Sequence, residues 1–515
     1  MSEDPYRHAR AAQEQRLDVI DNSLFDVAIV GGGINGACLY HHLCHRGFRV
    51  LLVERGDFSC GTSQASAMMI WGGLVYLKDL ELATVWRLCA ARDRMVAELG
   101  DWVRPCTVSY VPVPEGRSRP WAQLGLYLYW LLGHGRGRRP RHSTRFPEQA
   151  FLDPGRLRGA LHYQEAVVEP SDASFVLQWL LVHDNDCQVA VNYCALGGGG
   201  YEADRKAWRL ELSDGLDGRQ ILARARLVVN AAGPETDLLN DRFERPSPSV
   251  HVLSKGVSIG IPRPPQHRHH LAFDYGEAGN AMTLVPWGPI SVWGSTDTVT
   301  TRADKGTAIQ PTDIDFLLDQ LNRHMAHSVD RCDIVSLRHG LRPLAVRRGE
   351  EIVGTGSLSR GHRLHRDPGR TWISVYGGKL TGCVALAQTV ADLVGETTEP
   401  TAEPTPATKL PDPASQTEIF PALTEPVPTA AWCLQRQRCW NLEDYLRRRT
   451  NIAQWVPRGG LGRDDEHVDH LRRVATVLSG GDEHRGRQAL EDYRQLVRTG
   501  FDQALGSADT EGGNA

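Results

Sequence analysis

The sequence contains no C-x-x-C pair and no His/Cys cluster at metal-ligand spacing, although it holds 11 cysteines. Zinc ribbons, thioredoxin-like redox motifs and a disulfide framework are therefore not expected, nor is any bound metal, and an odd number of scattered thiols fits a reducing cytoplasm. Long apolar runs are also missing. The longest, from Leu124 to Gly133, is about half of what a bilayer-spanning helix requires. Residues 1–24 lack the apolar middle of a signal peptide. The expected location is cytoplasmic, with at most a peripheral contact at the inner face of a membrane. Charge of one sign is not in excess: 58 Lys and Arg stand against 62 Asp and Glu, for a formal net charge of -4. A nucleic-acid partner, whose binding would rest on phosphate neutralisation, is excluded on that ground. There is no internal repeat.

What is present suits a large folded enzyme. The 515 residues are 41% hydrophobic, 23% charged and 7% aromatic, enough for a sizeable core and a lined pocket, and length suggests about three domains or a two-domain body with a tail. From Phe25 the chain reads FDVAIVGGGINGACLYHHLCHRGFRVLLVERGDF, two apolar runs flanking a glycine turn and a helical stretch, which is a βαβ unit. Gly31-Gly32-Gly33-Ile34-Asn35-Gly36 satisfies G-x-G-x-x-G directly after the first run. Gly31 permits the turn, Gly33 lets backbone N–H groups approach a pyrophosphate, and Gly36 lets helix pack on strand. Glu54, at the end of the second run, suits the hydroxyls of an adenosine ribose and disfavours a 2′-phosphate.

FAD and NAD both use such a unit, and two later segments favour FAD. LVVNAAGP, from Leu227 to Pro234, offers a buried strand ending in small residues at Gly233, against which a ribityl-pyrophosphate can lie. YGGKLT, from Tyr376 through Gly378, Lys379 and Leu380 to Thr381, places two glycines, a cation and a helix start at the edge of a flavin ring. The Ser- and Gly-rich stretch from Ser59 to Tyr76 reads as a loop beneath the cofactor.

The expected fold class is α/β, a two-dinucleotide-binding, Rossmann-like FAD domain with an antiparallel-sheet substrate domain and a small helical C-terminal domain. The FAD domain is expected in three parts, 21–105, 166–245 and 333–399. Between them lie an irregular cap region at 106–165 and the substrate domain at 246–332, followed by a Pro-rich linker at 400–430 and the C-terminal domain at 431–505. The apolar run near Tyr127, bracketed by arginines, reads as a buried helix with solvated basic ends, with a membrane-touching surface as the alternative. Trp86 and Trp102 read as core residues, and Arg447-Arg448-Arg449 as a solvated helix face.

The set GGGINGA, GTS, GGL-x-YL, VVNAAGP, GSTDT, LRPL and YGGKLT, in this order and spacing, resembles the FAD-dependent glycerol-3-phosphate dehydrogenase family of the D-amino-acid-oxidase-like flavoproteins. The resemblance spans about residues 25 to 460 and includes LEDYLRRRT at Leu442 to Thr450. It implies non-covalent FAD and oxidation of a secondary alcohol, glycerol 3-phosphate or a related polyol or hydroxy compound, by hydride transfer to flavin N5. It also implies a quinone or oxygen as electron acceptor, and it is compatible with a homodimer. By position it assigns flavin contacts to Thr62, Ser63, Ser66, Gly72, Gly73 and Leu74, and a substrate pocket to Arg342, Lys379, Tyr76 and Arg360. Arg342 can alternatively serve a structural ion pair, and Lys379 can contact the flavin alone.

The chain departs from the family where substrate should sit. Where relatives read S-K-L-I-H-G-G-L-R-Y, it has Met68, Trp71 and Val75 in place of Lys, His and Arg, and Ser258 replaces the histidine of K-G-S-H. Loss of one charge-assisted phosphate contact costs about 1.5–3 kcal/mol, so a less polar pocket is expected. His339, beside Gly340-Leu341-Arg342, is the candidate for a substitute base, with a surface or hydrogen-bonded loop histidine as the preferred alternative. The alternatives are an amine or amino-acid oxidase, with Arg342 holding a carboxylate, and a catalytically degenerate flavin-binding partner protein.

Overall fold

The structure is a computed structural model that describes residues 4–275, 281–300, 308–350, 361–408, 410 and 412–506. Helix α1 (Pro5–Ile20) leads into strand β1 (Leu24–Val30), helix α2 (Ile34–His45) and strand β2 (Val50–Val53). This is the βαβ unit expected from the alternation of apolar runs and glycine turn. β1 lies inside an eight-stranded sheet ordered His362–Arg366, Trp372–Gly377, Gln220–Asn230, β1, β2, Gln188–Val191. Trp372–Gly377, Gln220–Asn230, β1, β2 and Gln188–Val191 run parallel, with Val27 paired to both Val50 and Leu227.

A parallel sheet needs cover on both faces, so its strands read as continuous apolar runs. Val27 and Ile29 pack beneath α2, α5 (Asp172–Leu181) and the helix Cys383–Gly395. Ala28 faces the other way, into a layer built on Leu17, Ile20, Trp208 and Leu210.

The second sheet has ten strands and is largely antiparallel. It draws in more of the chain than the sequence suggested. The segment 106–165, expected to be irregular, contributes Val103–Pro112 and Ala160–Val168, and Ser336–Arg347 pairs along the length of Ser249–Pro262. This sheet therefore reaches the parallel sheet through Ser336–Arg347, which contacts the strand Trp372–Gly377.

Helix α3 (Leu82–Glu98) and helix α4 (Arg119–Leu132) cover the sheet near Met69 and Tyr110. The preference for a buried α4 is corrected here. Ala122, Leu126 and Tyr129 are buried, but Trp121, Leu124, Leu128 and Leu131 form an exposed apolar face. Trp86 of α3 is likewise exposed, whereas Trp102 packs against the main core. Among the described residues no helix is long and apolar enough to cross a membrane.

The C-terminal helices form a core of their own around Trp432, Tyr445 and Leu471, to which Ala9 of α1 is added. The arginine run is not a solvated face. Arg448 and Arg449 are buried and both close on Asp57, at 2.5 and 2.7 Å. Two guanidiniums need a buried carboxylate to offset their desolvation, and that carboxylate comes from the loop after β2.

Candidate functional site

Three parallel neighbours, β1, Gln220–Asn230 and Trp372–Gly377, each end in a small-residue turn on the same side of the sheet. That side, beyond the carboxyl ends of parallel strands, is where α/β folds hold their ligands. The turns touch. Asn35 Nδ2 donates to the Gly377 carbonyl at 3.0 Å, and the Ala231 N–H donates to the Val30 carbonyl at 2.9 Å. Gly31 has φ +113°, and a Cβ there would lie 2.5 Å from the Ala231 carbonyl oxygen; a Cβ on Gly36 would lie 2.0 Å from the Gly31 carbonyl oxygen. Only hydrogen fits at either place, so helix and backbone close up around a narrow cradle.

Gly33 caps α2 with no side-chain acceptor. The N-terminal end of α2 thus faces the cavity with its backbone donors and partial positive charge, as a pyrophosphate requires. Ser63 Oγ accepts from the Ile34 N–H at 3.0 Å, which fastens the GTS turn over the helix start. Glu54 accepts the N–H of Gly32 at 2.8 Å on one oxygen and that of Gly56 at 2.9 Å on the other. Burial raises its pKa, while the two N–H groups oppose the rise. Its orientation is therefore set before any ribose arrives.

These features line a single cavity of about 970 Å³. Of the residues assigned to the cofactor, Gly31, Gly33, Glu54, Thr62, Ser63, Ser66, Gly233, Gly378, Lys379 and Leu380 line it. His339 also lines it. The size, the closed glycine cradle, the helix start on the cavity and the acidic residue at the end of β2 fit an elongated dinucleotide such as FAD.

The remaining assigned residues that the structure describes are not among those lining the cavity. Gly36 works through helix packing. Gly72 donates to Glu165 at 3.0 Å, and Gly72 and Gly73 lie against Cys89 and Leu88 of α3; Leu74 packs beside Trp71 and Tyr76. Thr381 Oγ1 donates to the Trp71 carbonyl at 3.0 Å, joining this loop to the GGKLT turn. Through it Tyr76 reaches Lys379, whose Nζ stands 3.9 Å from the centre of the Tyr76 ring.

Arg342 is committed to its neighbours: Ser295 Oγ at 2.5 Å, the Thr296 carbonyl at 3.0 Å and Asp297 at 3.8 Å. Gly256 makes room for it, because a Cβ there would meet the guanidinium at 2.2 Å. Arg360 lies outside the described residues. The expected less polar pocket of Met68, Trp71 and Val75 is not assembled as one wall. Met68 is buried among Val285, Trp287 and Val292, Trp71 packs near Met69, and Val75 is exposed. Lys255 is buried on Asp313 at 2.7 Å, and Ser258 pairs across the sheet with Arg338 and Gly294.

Several contacts at the site were not read from the sequence. Asn35, hidden inside the glycine motif, ties the first turn to the third. Arg338 and Ser66 share Asp172, at 2.8 and 2.9 Å. Arg447 lines the cavity and donates to Gln64 Oε1 at 3.0 Å; burial, with Arg338 next in weight, lowers its pKa to about 10. The Arg triplet was the available signal, but solvation was the default reading for such a run. A fourth surprise concerns histidine: His41 and His45 are four apart on α2, and His183 joins them, contrary to the expected lack of a metal-spaced cluster.

Comparison with known proteins agrees with this geometry. A family model described as FAD dependent oxidoreductase matches residues 26–393. The aerobic glycerol-3-phosphate dehydrogenase of Escherichia coli (strain K12) is 30% identical over 370 residues, covering 70% of this chain and 72% of that protein. A glycerol-3-phosphate dehydrogenase of Mycobacterium leprae (strain TN) is 28% identical over 376 residues, covering 72% of this chain and 62% of that longer protein. In fold, the chain is similar to the glycerol-3-phosphate dehydrogenase from Bacillus halodurans complexed with FAD. The TM-score is 0.68 at 18% identity, covering 95% of this chain and 97% of that one.

Proposed function

Since this chain belongs to the FAD dependent oxidoreductases, and within them to the glycerol-3-phosphate dehydrogenase family, we propose that it oxidises a secondary alcohol of a small polar polyol or hydroxy compound. FAD, when bound, supplies the acceptor for the two electrons that leave the C–H bond. The chain's part is to hold the cofactor, aim the alcohol and manage its proton. Gly31, Gly33 and the start of α2 hold the pyrophosphate, and Glu54 takes the ribose.

The observation that carries the substrate side is the Lys379–Tyr76 pair. Lys379 lines the cavity wall at the end of Trp372–Gly377, and the ring beneath it fixes where the ammonium sits. A fixed cation there stabilises a developing alkoxide or an anionic substrate group. His339, on the same cavity, accepts the hydroxyl proton. Arg342, held by Ser295, Thr296 and Asp297, buttresses the turn rather than clamping a carboxylate, which disfavours the amino-acid oxidase reading. Anaerobic mixing of the FAD-loaded protein with glycerol 3-phosphate, other polyols, hydroxy acids and amino acids tests the proposal by bleaching of the flavin. Bleaching by amino acids alone, or by dithionite alone, would overturn it.

The exposed face of α4 supports a peripheral membrane contact. Trp121, Leu124, Leu128 and Leu131 are exposed, Leu80, Leu82 and Trp86 are exposed on the neighbouring segment, and Arg119, Arg136, Arg138 and Arg139 flank the face. Apolar side chains with basic flanks suit an anionic interface, and a contact of this kind brings the flavin near a quinone acceptor.

A further inference from the structure

At the end of α2 remote from the glycine turn, about 16 Å away along the helix axis, three imidazoles converge. His41 and His45 share one face of α2 at i, i+4 spacing, and His183 follows α5. One nitrogen from each lies within 4.8 Å of the others, and His183 Nε2 is 2.9 Å from His41 Nδ1. We propose that His41, His45 and His183 form a binding site for one divalent transition-metal ion, Zn²⁺ being the natural occupant of a three-nitrogen site, with water completing the shell.

The arrangement differs from a set of satisfied core histidines. His183 is 1% exposed, yet its Nδ1 has no hydrogen-bond partner. Its Nε2 meets another imidazole nitrogen, and two neutral imidazoles facing nitrogen to nitrogen can share only one proton. With each ring carrying its proton on the other nitrogen, a metal ion would replace that shared proton and take both lone pairs at once. Trp179 sets its edge against His41, with centroids 4.7 Å apart, which limits the ring's rotation.

A tetrahedral site with Zn–N of about 2.0–2.1 Å separates its nitrogens by about 3.3 Å. The His41–His183 pair must open slightly and His45 must close. His45 can do so because it is exposed at the helix end, where the half-negative carbonyl terminus favours a cation. The nearby Arg46 is turned away, onto Asp392 at 2.7 Å. A bound ion would clip the C-terminal end of α2 to the loop after α5. It would thereby brace, from its far end, the helix whose start faces the dinucleotide.

The test is calorimetric titration of Zn²⁺ into tag-free, FAD-loaded protein previously stripped with a chelator, alongside His45→Ala, His183→Ala and, as a control outside the triad, His42→Ala. One equivalent should bind with micromolar or tighter affinity. His45→Ala and His183→Ala should each weaken it at least tenfold, and His42→Ala less than threefold, with flavin content unchanged in His45→Ala. Absence of a one-equivalent step in the wild-type protein, or equal affinity in His45→Ala, would overturn the proposal.

Discussion

The Nζ of Lys379 stands 3.9 Å from the centre of the Tyr76 ring, bringing a turn at the end of one parallel strand over a loop laid down near the start of the chain. A cation over an aromatic face gains about 0.5–2 kcal/mol, and a lost charge-assisted contact costs about 1.5–3 kcal/mol. Lys379→Met should therefore slow flavin reduction by substrate about 10- to 100-fold. Tyr76→Leu should slow it about 2- to 30-fold, while Tyr76→Phe, which keeps the ring, should stay within about threefold. Stopped-flow reduction rates check this, and a Phe variant as slow as the Leu variant would show that the ring is not what places the ammonium.

The glycine cradle gives a sharper contrast. Gly36→Ala would set a methyl 2.0 Å from the Gly31 carbonyl oxygen, and Gly31→Ala combines φ +113° with a 2.5 Å clash. Both variants should purify without flavin or fail to fold. Gly382, three residues past Lys379, has φ -94°, nothing within 4 Å of its would-be Cβ and no place in the cavity lining, so Gly382→Ala carries neither backbone strain nor a clash. It should keep its FAD. The ratio of flavin to protein absorbance decides, and a colourless Gly382→Ala would count against this account of the cradle.

What the sequence disclosed and what it hid divide along contact distance. The G-x-G-x-x-G turn, Glu54 and the YGGK turn were legible because each carries its physical reason within a few residues. Their convergence followed from the order of strands in a parallel sheet. Asn35 could not be read, because its partner Gly377 lies in the last strand of the site. Arg448 and Arg449 were misread for the same reason: only the fold supplies Asp57. The exposed face of α4 is a different failure. Trp121, Leu124, Leu128 and Leu131 repeat at three and four residues, an amphipathic signature, but a window opened at Leu124 leaves out Trp121.

Asp57 joins the C-terminal helices to the loop after β2, and its charge state is set by opposing effects. Burial pushes its pKa up, but the Arg449 and Arg448 guanidiniums outweigh that and hold it at about 2. Removing one partner of a buried ion pair costs about 3–5 kcal/mol. Asp57→Asn should accordingly lower the thermal midpoint by several degrees, with the C-terminal helices becoming susceptible to protease. Arg447→Met, which removes a bond to Gln64 rather than an ion pair, should leave the midpoint within about 2 °C. Equal midpoints for wild type and Asp57→Asn would refute the clamp.

Three buried histidines, His270 in the larger sheet and His267 and His324 in turns beside it, make stability depend on pH. Burial lowers the pKa of His267 and His324 to about 4 and that of His270 to about 3. An unfolded histidine titrates near 6.5, so below that pH the unfolded chain takes up protons that the folded one refuses. The stability they contribute is complete above about pH 6.5 and falls as the pH drops toward 4, by roughly 2 kcal/mol for each residue at pH 5. Thermal midpoints should decline steadily from pH 7 to pH 5, and His324→Asn, which cannot charge, should show a shallower decline. A flat profile over that interval would contradict the burial argument.

The face of α4 makes the most direct prediction about location. Trp121 is 70% exposed, Leu131 62% and Leu124 59%, an arrangement that leaves large apolar side chains in water unless something covers them. Each such side chain gains about 1.5–3 kcal/mol on full transfer from water, and partial burial at a bilayer surface would still bind the protein measurably. In flotation with vesicles containing anionic lipid, the FAD-loaded protein should rise with the lipid, less so at high salt because the flanking arginines are screened. The triple variant Trp121→Ser, Leu124→Ser, Leu131→Ser should lose at least about tenfold of that association while keeping its flavin, since Ala122, Leu126 and Tyr129 still dock the helix. Unchanged flotation of the triple variant would show that the membrane meets some other part of the surface.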